Sequence, residues 1–561
     1  MVIEHAAKKD ISYLLTILLL TYFFFFINLG GYSLKEPDEG RYAEIPREMV
    51  EQGDYLVPHL NYVRYFEKPP LLYWATAVSY KLFGVNEWSF RFPNALAAFF
   101  CSVLLFYFGR KWFSGETGFF GAVILISSVG FFAMARIVTI DMLLTGLLFS
   151  AVVCFNEFYR ERRSSYLYLF YASLAMATLA KGPVAPVLVG LSILVFLYTE
   201  KDLSFLKTLF NVRGLLLYAV IAAPWFVAIS IKEKEFFQFF FIDQNILRFL
   251  TKKHHRSGPV YYFIPVLAAG MLPWSFFLPR AVMRAWRMKE LRFLIIYSAV
   301  VFLFFSLSGS KLPPYILPVL PPLSLIMGRL FVSCRQGAVS AKKEIVVYII
   351  FFVGVMVTFV LGVSGIFEKC VGVAPDVKEI LENIRGLEIG MIAVSAAMIL
   401  FLCVRRLSRF HLIFLALTGF SLAVVAMVLF YAGVIDGYKT SKHLARTING
   451  LQPKAAMVVY YGSFAESLPF YTGRRIYIVG DRGELEMGAK YADAQAFFPD
   501  EKTLKDLFDS NEPVIAVMKR KRIPRFGEIV KSGFRVLDCQ DNRCVVINRM
   551  PQSSDSSGSG S

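Results

Sequence analysis

ISYLLTILLLTYFFFFINLGG (Ile11–Gly31) carries no charge over its whole length. A helix of about 20 such residues crosses about 30 Å of hydrocarbon. EIVVYIIFFVGVMVTFVLGVSGIF (344–367) has the same character behind one leading glutamate. Across 561 residues the apolar share is 56%, and the mean hydropathy is +0.53, a value soluble domains rarely reach. The first run is too long for a removable signal peptide, and no small-x-small cleavage site follows it. The chain reads as a polytopic α-helical membrane protein.

Apolar runs near 11–30, 92–109, 117–135, 141–158, 166–180, 184–199, 214–231, 260–279, 292–308, 315–332, 345–366, 387–404 and 411–432 predict about thirteen spans. The alternate connections GRKWFSGE, YRERRSS, TEKDLSFLKTLFNVR, PRAVMRAWRMKELR, SCRQGAVSAKKE and RRLSRFH are all basic, as cytoplasmic loops are. Lys8 and Lys9 place the N-terminus on that side, and an odd number of spans places the C-terminus outside. Topology thus accounts for the net charge of +18. No basic domain interleaved with aromatics is present, which excludes nucleic acid as a partner.

The outer face receives a first long loop (31–91), a second (232–259), the turns KGP (181–183) and GSKLPP (309–314), and the segment 433–550. The domain plan is therefore a membrane domain over 1–432, carrying both loops, and an extracytoplasmic domain over 433–550. The latter alternates strand-like AAMVVYYG, RRIYIVG, EPVIAVMK and CVVINRM with helix-like DEKTLKDLFDS, an α/β pattern. Residues 551–561 are a flexible Ser/Gly tail. None of the seven cysteines forms a CxxC motif. Cys539 and Cys544 flank a polar turn between two strand-like runs, so an oxidising compartment would allow a disulfide across that hairpin.

Charges gather on the outer face. EPDEGRYAE (36–44) presents Asp38 and Glu39 beside Arg41, directly after the first span. Asp38 is a helix N-cap candidate and Gly53 the matching stop. Tyr42, Ile45 and Met49 share one face, Pro46 should kink the helix, and the whole reads as an amphipathic helix on the membrane surface. Glu48 and Glu51 read as solvated. VRYFEKPPLLYW (63–74) sets Arg64, then Glu67 and Lys68, ahead of two prolines that fix the backbone. Asp141 stands at the outer end of a span with Arg136 nearby, and intramembrane acids are functional candidates. Lys181 and Lys311 lie on the outer face against the positive-inside rule, which favours an anionic ligand. His254, His255 and Arg256 fall in the second loop. Imidazole and carboxylate together suit a divalent metal, zinc or a harder ion. Acids and bases at the lip of an apolar cavity suit a substrate with an anionic head and a hydrocarbon tail, such as a polyprenyl phosphate.

PDEGRYAEIPREMVEQGDYLVPHLNYVRYFEKPPLLYW (37–74), ARIVTIDMLLT, LAKGPVAP, HHRSGPVYYF and SGSKLPPYILPVLPPLSLI resemble, in this order, the bacterial aminoarabinose transferases of lipid A modification, the ArnT family of GT-C glycosyltransferases. The resemblance covers about residues 10–330 well and the rest in kind. It implies a GT-C fold and transfer of 4-amino-4-deoxy-L-arabinose from undecaprenyl phosphate to a lipid A phosphate. The site would be periplasmic, on the bacterial inner membrane, in a monomer. The added amine would weaken the binding of cationic peptides such as polymyxin.

By motif, Asp38 would be the central acid, with Glu39 beside it and Asp141 a second active-site acid. Arg41, Arg64, Lys68, Lys181, Arg256 and Lys311 would hold phosphates. Glu67 with His254 or His255 would bind a divalent metal (zinc, magnesium or manganese). Three rivals remain: a GT-C enzyme with another lipid-linked sugar and a hydroxyl acceptor, a purely structural or sensing membrane protein, which leaves the acids and bases of the outer face without a purpose, and a transporter of lipid-linked sugars. The sequence shows neither paired halves nor broken helices, the marks of the last.

Overall fold

The computed structural model describes residues 2–247, 258–340, 342–364, 385–404, 410–431, 440–451, 457–531, 533–540 and 542–549. His254, His255, Arg256 and the tail 551–561 lie outside them. The chain forms two compact units: residues 1–29 with 91–434, and residues 30–90 with 435–561. The sequence assigns the first outer loop to the spans. The structure groups it instead with the C-terminal segment.

The first unit is helical. Where the residues are described, all thirteen apolar runs lie mainly on helix, but two of them are not straight spans. Among the described residues nine helices are long and apolar enough to cross a membrane, and eleven do so if each bent pair counts as one. Helices Gly115–Ser127 and Val129–Arg136 meet at 64°, and Val260–Gly270 and Ser275–Ala285 at 118°. Ser164–Lys181 and Val184–Thr199 complete the set. The two breaks support each other. Val129 N–H donates to Leu272 O (3.0 Å), and Trp274 Nε1 donates to Ser127 Oγ (3.0 Å), so backbone freed at the breaks finds partners inside the protein. Broken helices are therefore present, contrary to the sequence reading, and their absence no longer argues against transport. A periodicity argument sees apolar runs and not the bend between them.

Side-chain exposure in this unit is inverted relative to a soluble protein. Leu19, Ile231, Ile350, Leu400 and Phe430 are each more than two-thirds or nearly so exposed, as lipid-facing residues are. Helices approach closely through small residues: a Cβ on Gly328 of Leu320–Arg335 would stand 2.6 Å from Gly121 N of the neighbouring helix.

The second unit contains a five-stranded mixed sheet in the order β4-β3-β5-β7-β6, with β3 Met457–Ser463, β4 Tyr477–Asp481, β5 Val514–Lys519, β6 Arg535–Gln540 and β7 Arg543–Ile547. The first three are parallel, and β7 and β6 add antiparallel. Every strand-like run of the sequence is a strand. One sheet face packs on Leu444, Ile448 and Leu468, the other on Leu504, Phe508 and Phe526. Helix Glu501–Asp509 starts on an Asp500 cap that accepts from Thr503 N–H (2.8 Å). Cys539 and Cys544 face each other across β6 and β7 and form the expected disulfide. It closes a loop of about six residues, for which chain entropy gives about 2 kcal/mol. Cys539→Ser/Cys544→Ser is expected to lower the unfolding free energy of this unit by that amount, read as the shift of its thermal transition.

Candidate functional site

In the second unit, the loop helix Asp38–Gln52 holds the acidic group. Its first turn carries Asp38 and Glu39, favourable against the helix dipole, and Gly53 ends it at φ 72°. Pro37, not Asp38, occupies the cap position, and the helix runs through Pro46 to Gln52. The helix is not a surface element. Glu39, Arg41, Tyr42, Glu44, Ile45, Glu48 and Met49 are all buried. One side packs on helix Leu71–Phe83 and another on helix Ser467–Thr472. Gly40 permits this: a Cβ there would stand 2.5 Å from Ser467 N and 2.7 Å from Glu466 C.

Burial explains why Glu48 is not solvated. It is 1% exposed and accepts from Tyr62 N–H at 2.8 Å. Burial, and then the Glu44 charge and hydrogen bond, push its pKa well above the usual carboxylate range. Glu44 itself takes both arms of Arg47, each at 2.7 Å. Glu51 is exposed, as expected, and pairs with Arg47 and Tyr62.

A tight hairpin positions the FEKPP group. Strands β1 His59–Leu60 and β2 Val63–Arg64 pair around Asn61 and Tyr62, both at positive φ (56° and 61°), the geometry of a two-residue hairpin turn. The Asn61 side chain donates to Ile476 O (2.7 Å) and accepts from Ile476 N–H (2.8 Å), which locks the hairpin to the C-terminal segment. Arg64 then pairs with Asp493 (2.7 Å) and stacks 4.3 Å over Tyr491. Glu67 and Lys68 are half-buried, ahead of Pro70, which caps helix Leu71–Phe83.

Arg41 is the centre of this unit's charge cluster. Its guanidinium binds Asp38 on one side and Glu484 on the other, and Tyr65 donates to Glu484 (3.2 Å). Burial opposes the Arg41 charge, yet Tyr65, Tyr42, Asp38 and Glu67 outweigh it and hold the pKa well above its ordinary value. Arg41 is a permanent cation here. Asp38 keeps its carboxylate 52% exposed, available to a substrate. Glu39 faces inward and accepts from Lys35 N–H (3.1 Å), closing the turn that starts the helix. Sequence reasoning missed Glu484, Tyr65 and Asp493. Only a contact more than 400 positions long reveals two of them.

A half-buried acid pair, Glu36 and Glu466, joins the first outer loop to the C-terminal segment of the same unit. Glu36 accepts from Ser441 Oγ (2.7 Å) and Ser467 Oγ (2.6 Å) and pairs with Arg543 (3.4 Å). Burial, then the neighbouring Glu36 carboxylate, raise Glu466 to about 8. The folded unit therefore binds this proton more tightly than the unfolded chain. Its contribution to stability is full below the ordinary carboxyl pKa and is lost as pH rises towards about 8. Glu466→Gln, which keeps a donor towards Glu36, is expected to flatten the fall of melting temperature between pH 5 and 9. An unchanged slope would refute the assignment.

In the first unit, Asp141 sits in the first turn of helix Ile140–Glu161 and forms an ion pair with Lys181 at the end of Ser164–Lys181. Lys181 Nζ also stands 4.2 Å over the Tyr315 ring. Arg136, near Asp141 in sequence, instead donates to Phe24 O and Asn28 O (3.2 and 3.1 Å). Lys311 is buried and donates to Ser308 O (2.6 Å). Gly258, where the second outer loop re-enters the described chain, lies against it: a Cβ there would be 3.3 Å from Lys311 Cδ. Lys181, Ser308, Ser310 and Tyr315 line a cavity of about 360 Å³ whose other walls include Val184, Val187, Phe304 and Phe305. A cation and hydroxyls at one side of an apolar chamber suit an anionic head on a hydrocarbon tail.

Among the described residues no group of three His, Cys, Asp or Glu is arranged to hold a metal. The expected site needs His254 or His255, outside those residues, beside Glu67.

Residues 67–227 match the profile of the dolichyl-phosphate-mannose-protein mannosyltransferases, and residues 444–549 that of the aminoarabinose transferase C-terminal domain. The undecaprenyl phosphate-α-4-amino-4-deoxy-L-arabinose arabinosyl transferase of Yersinia enterocolitica is 29% identical over 501 residues, 85% of this chain and 87% of that protein. The protein of the same name from Photorhabdus laumondii is 32% identical over 358 residues, 62% of this chain and 64% of its own. The crystal structure of ArnT from Cupriavidus metallidurans bound to undecaprenyl phosphate superposes with a TM-score of 0.81 at 25% identity, covering 99% of this chain and all of that one. The likeness therefore runs through both units, from the membrane helices to the mixed sheet, and the chain is a GT-C glycosyltransferase similar along its length to the aminoarabinose transferases (ArnT).

Proposed function

We propose that this enzyme moves 4-amino-4-deoxy-L-arabinose from undecaprenyl phosphate to a phosphate of lipid A at the periplasmic face of the bacterial inner membrane, lowering the affinity of cationic peptides such as polymyxin. The observation that carries the reading is the chamber of about 360 Å³ with Lys181 and Tyr315 at one side and apolar walls, in a chain related along most of its length to arabinosyl transferases of that name. The acceptor phosphate oxygen would attack the sugar carbon that bears the carrier. The carbon–oxygen bond to undecaprenyl phosphate would break, and that phosphate would leave with the electron pair. A phosphate acceptor is already ionised, so the chemistry needs charge stabilisation more than a strong base. Lys181 and Lys311 would neutralise carrier phosphate in the membrane unit, with Arg256. Asp38, fixed by Arg41, would orient the acceptor, with Lys68 and Arg64 nearby in sequence. Asp141 would place Lys181. A divalent metal at Glu67 and His254 or His255 belongs to the same proposal, and no step above depends on it.

The periplasmic placement rests on the Cys539–Cys544 disulfide, which needs an oxidising compartment, and on the basic loops expected opposite. A hydroxyl acceptor is the second reading, favoured by the mannosyltransferase profile over 67–227, while the match over 444–549 favours the first. The test is incubation of purified protein with undecaprenyl-phosphate aminoarabinose and lipid A, read by mass spectrometry. A gain of one aminoarabinose is expected, with chelation in the same assay reporting on the metal. No gain from folded, metal-supplied protein would overturn the donor and acceptor while leaving the family intact.

A further inference from the structure

Three arginines from two separate stretches line a second cavity in the membrane unit, about 460 Å³ in volume. Arg284 ends helix Leu278–Ala285, Arg287 follows it, and Arg329 comes from Leu320–Arg335. Met283, Leu291 and Leu330 supply apolar wall. This cavity lies at the other end of the unit from the Lys181 chamber. Helix Lys289–Leu307 brings Leu291 here and Phe304 there, about 20 Å apart along the helix.

Among the described residues none of the three guanidiniums makes an ion pair or a side-chain hydrogen bond. Arg329 stands 5.5 Å over the Phe113 ring, and its Nε is buried without a partner. Of the carboxylates at this end, Glu344 is held by Arg280 (2.9 Å), Glu116 by Lys9 (2.8 Å) and Arg335, and Glu200 by Arg292, while Glu290, next to Leu291 in sequence, pairs with none of the three arginines. The positive-inside tendency explains basic residues here, but solvated, scattered ones would satisfy it. It does not require three to share a cavity, nor one to bury a donor at a cost of about 1–3 kcal/mol.

We propose that this cavity binds the phosphate headgroup of an anionic phospholipid from the leaflet opposite the transfer site. Three unpaired cations match a phosphodiester, and Arg guanidiniums bind phosphate with two parallel bonds. The apolar half of the lining suits the glycerol and first acyl carbons, which a free ion lacks. Trp286, 49% exposed between Arg284 and Arg287, is the residue type that marks a bilayer interface. Basic pockets between membrane helices take anionic lipids elsewhere.

The test is native mass spectrometry of the full chain released from nanodiscs of phosphatidylglycerol and phosphatidylcholine. The wild type should retain phosphatidylglycerol about tenfold over phosphatidylcholine, the factor set by one charge-assisted contact of about 1.4 kcal/mol. Arg284→Gln/Arg287→Gln/Arg329→Gln should lose that preference, and Arg213→Gln, an arginine of another helix, should keep it. Retention of undecaprenyl phosphate by the same samples reports that the variant is folded. If the triple variant is misfolded, Arg284→Gln/Arg287→Gln alters only exposed residues and should still show a several-fold loss. Equal retention by wild type and folded variants overturns the proposal. So does selectivity for inorganic phosphate without phosphatidylglycerol, which would assign a soluble anion.

Discussion

Asp38→Asn is expected to lower sugar transfer by about 10²–10³-fold, the range for removing one preorganised electrostatic group from a reacting centre. The fold should barely notice. Asp38 is the outermost member of its cluster, and Arg41 retains Glu484 as a partner when Asp38 loses its charge. What the helix loses is one acid in its first turn, about 0.3–1 kcal/mol. Arg41→Gln should behave differently. It strands Glu484 and Asp38 together around a buried position, so stability and activity should fall at once. Transfer and melting temperature measured on both variants separate the roles. An active Asp38→Asn enzyme would remove Asp38 from the chemistry. An unstable one would make it structural.

The helical runs, the outer α/β pattern and the Cys539–Cys544 bridge were legible because each is local: hydropathy over twenty residues, alternation over six, or a turn between two cysteines. The charges of the outer loop were legible as residue types, and not as a network. Nothing near Arg41 in sequence announces Glu484, and nothing near Asn61 announces Ile476. The helix Asp38–Gln52 misread as a surface element for the same reason. Its apolar face at Tyr42, Ile45 and Met49 was visible, but the partner covering the opposite face is supplied by a segment some 400 residues away. Gly40 was the available signal: a glycine inside a helix needs a packing reason, and here the reason is Ser467. The bends at residues 127–129 and 270–275 left no comparable mark in the hydropathy.

Lys181→Met should cost about 3–5 kcal/mol of stability, because it leaves the Asp141 carboxylate charged and enclosed with no counterion. The pair's side chains are 14% and 10% exposed, and the walls beyond them are largely apolar. Thermal unfolding in detergent reads the loss. Adding Asp141→Asn removes the stranded charge, and the double variant should recover most of that stability, since replacing both members of a buried pair is often near neutral. Carrier binding should not recover with it. If Lys181 meets the carrier phosphate, the double variant folds as well as wild type but binds undecaprenyl phosphate weakly, because the cation over Tyr315 is gone. A merely structural Lys181 would show both properties returning together. The comparison therefore separates the two roles on one pair of residues, and a double variant with full carrier affinity would take the phosphate contact away from Lys181 and pass it to Lys311, a buried lysine of the same unit.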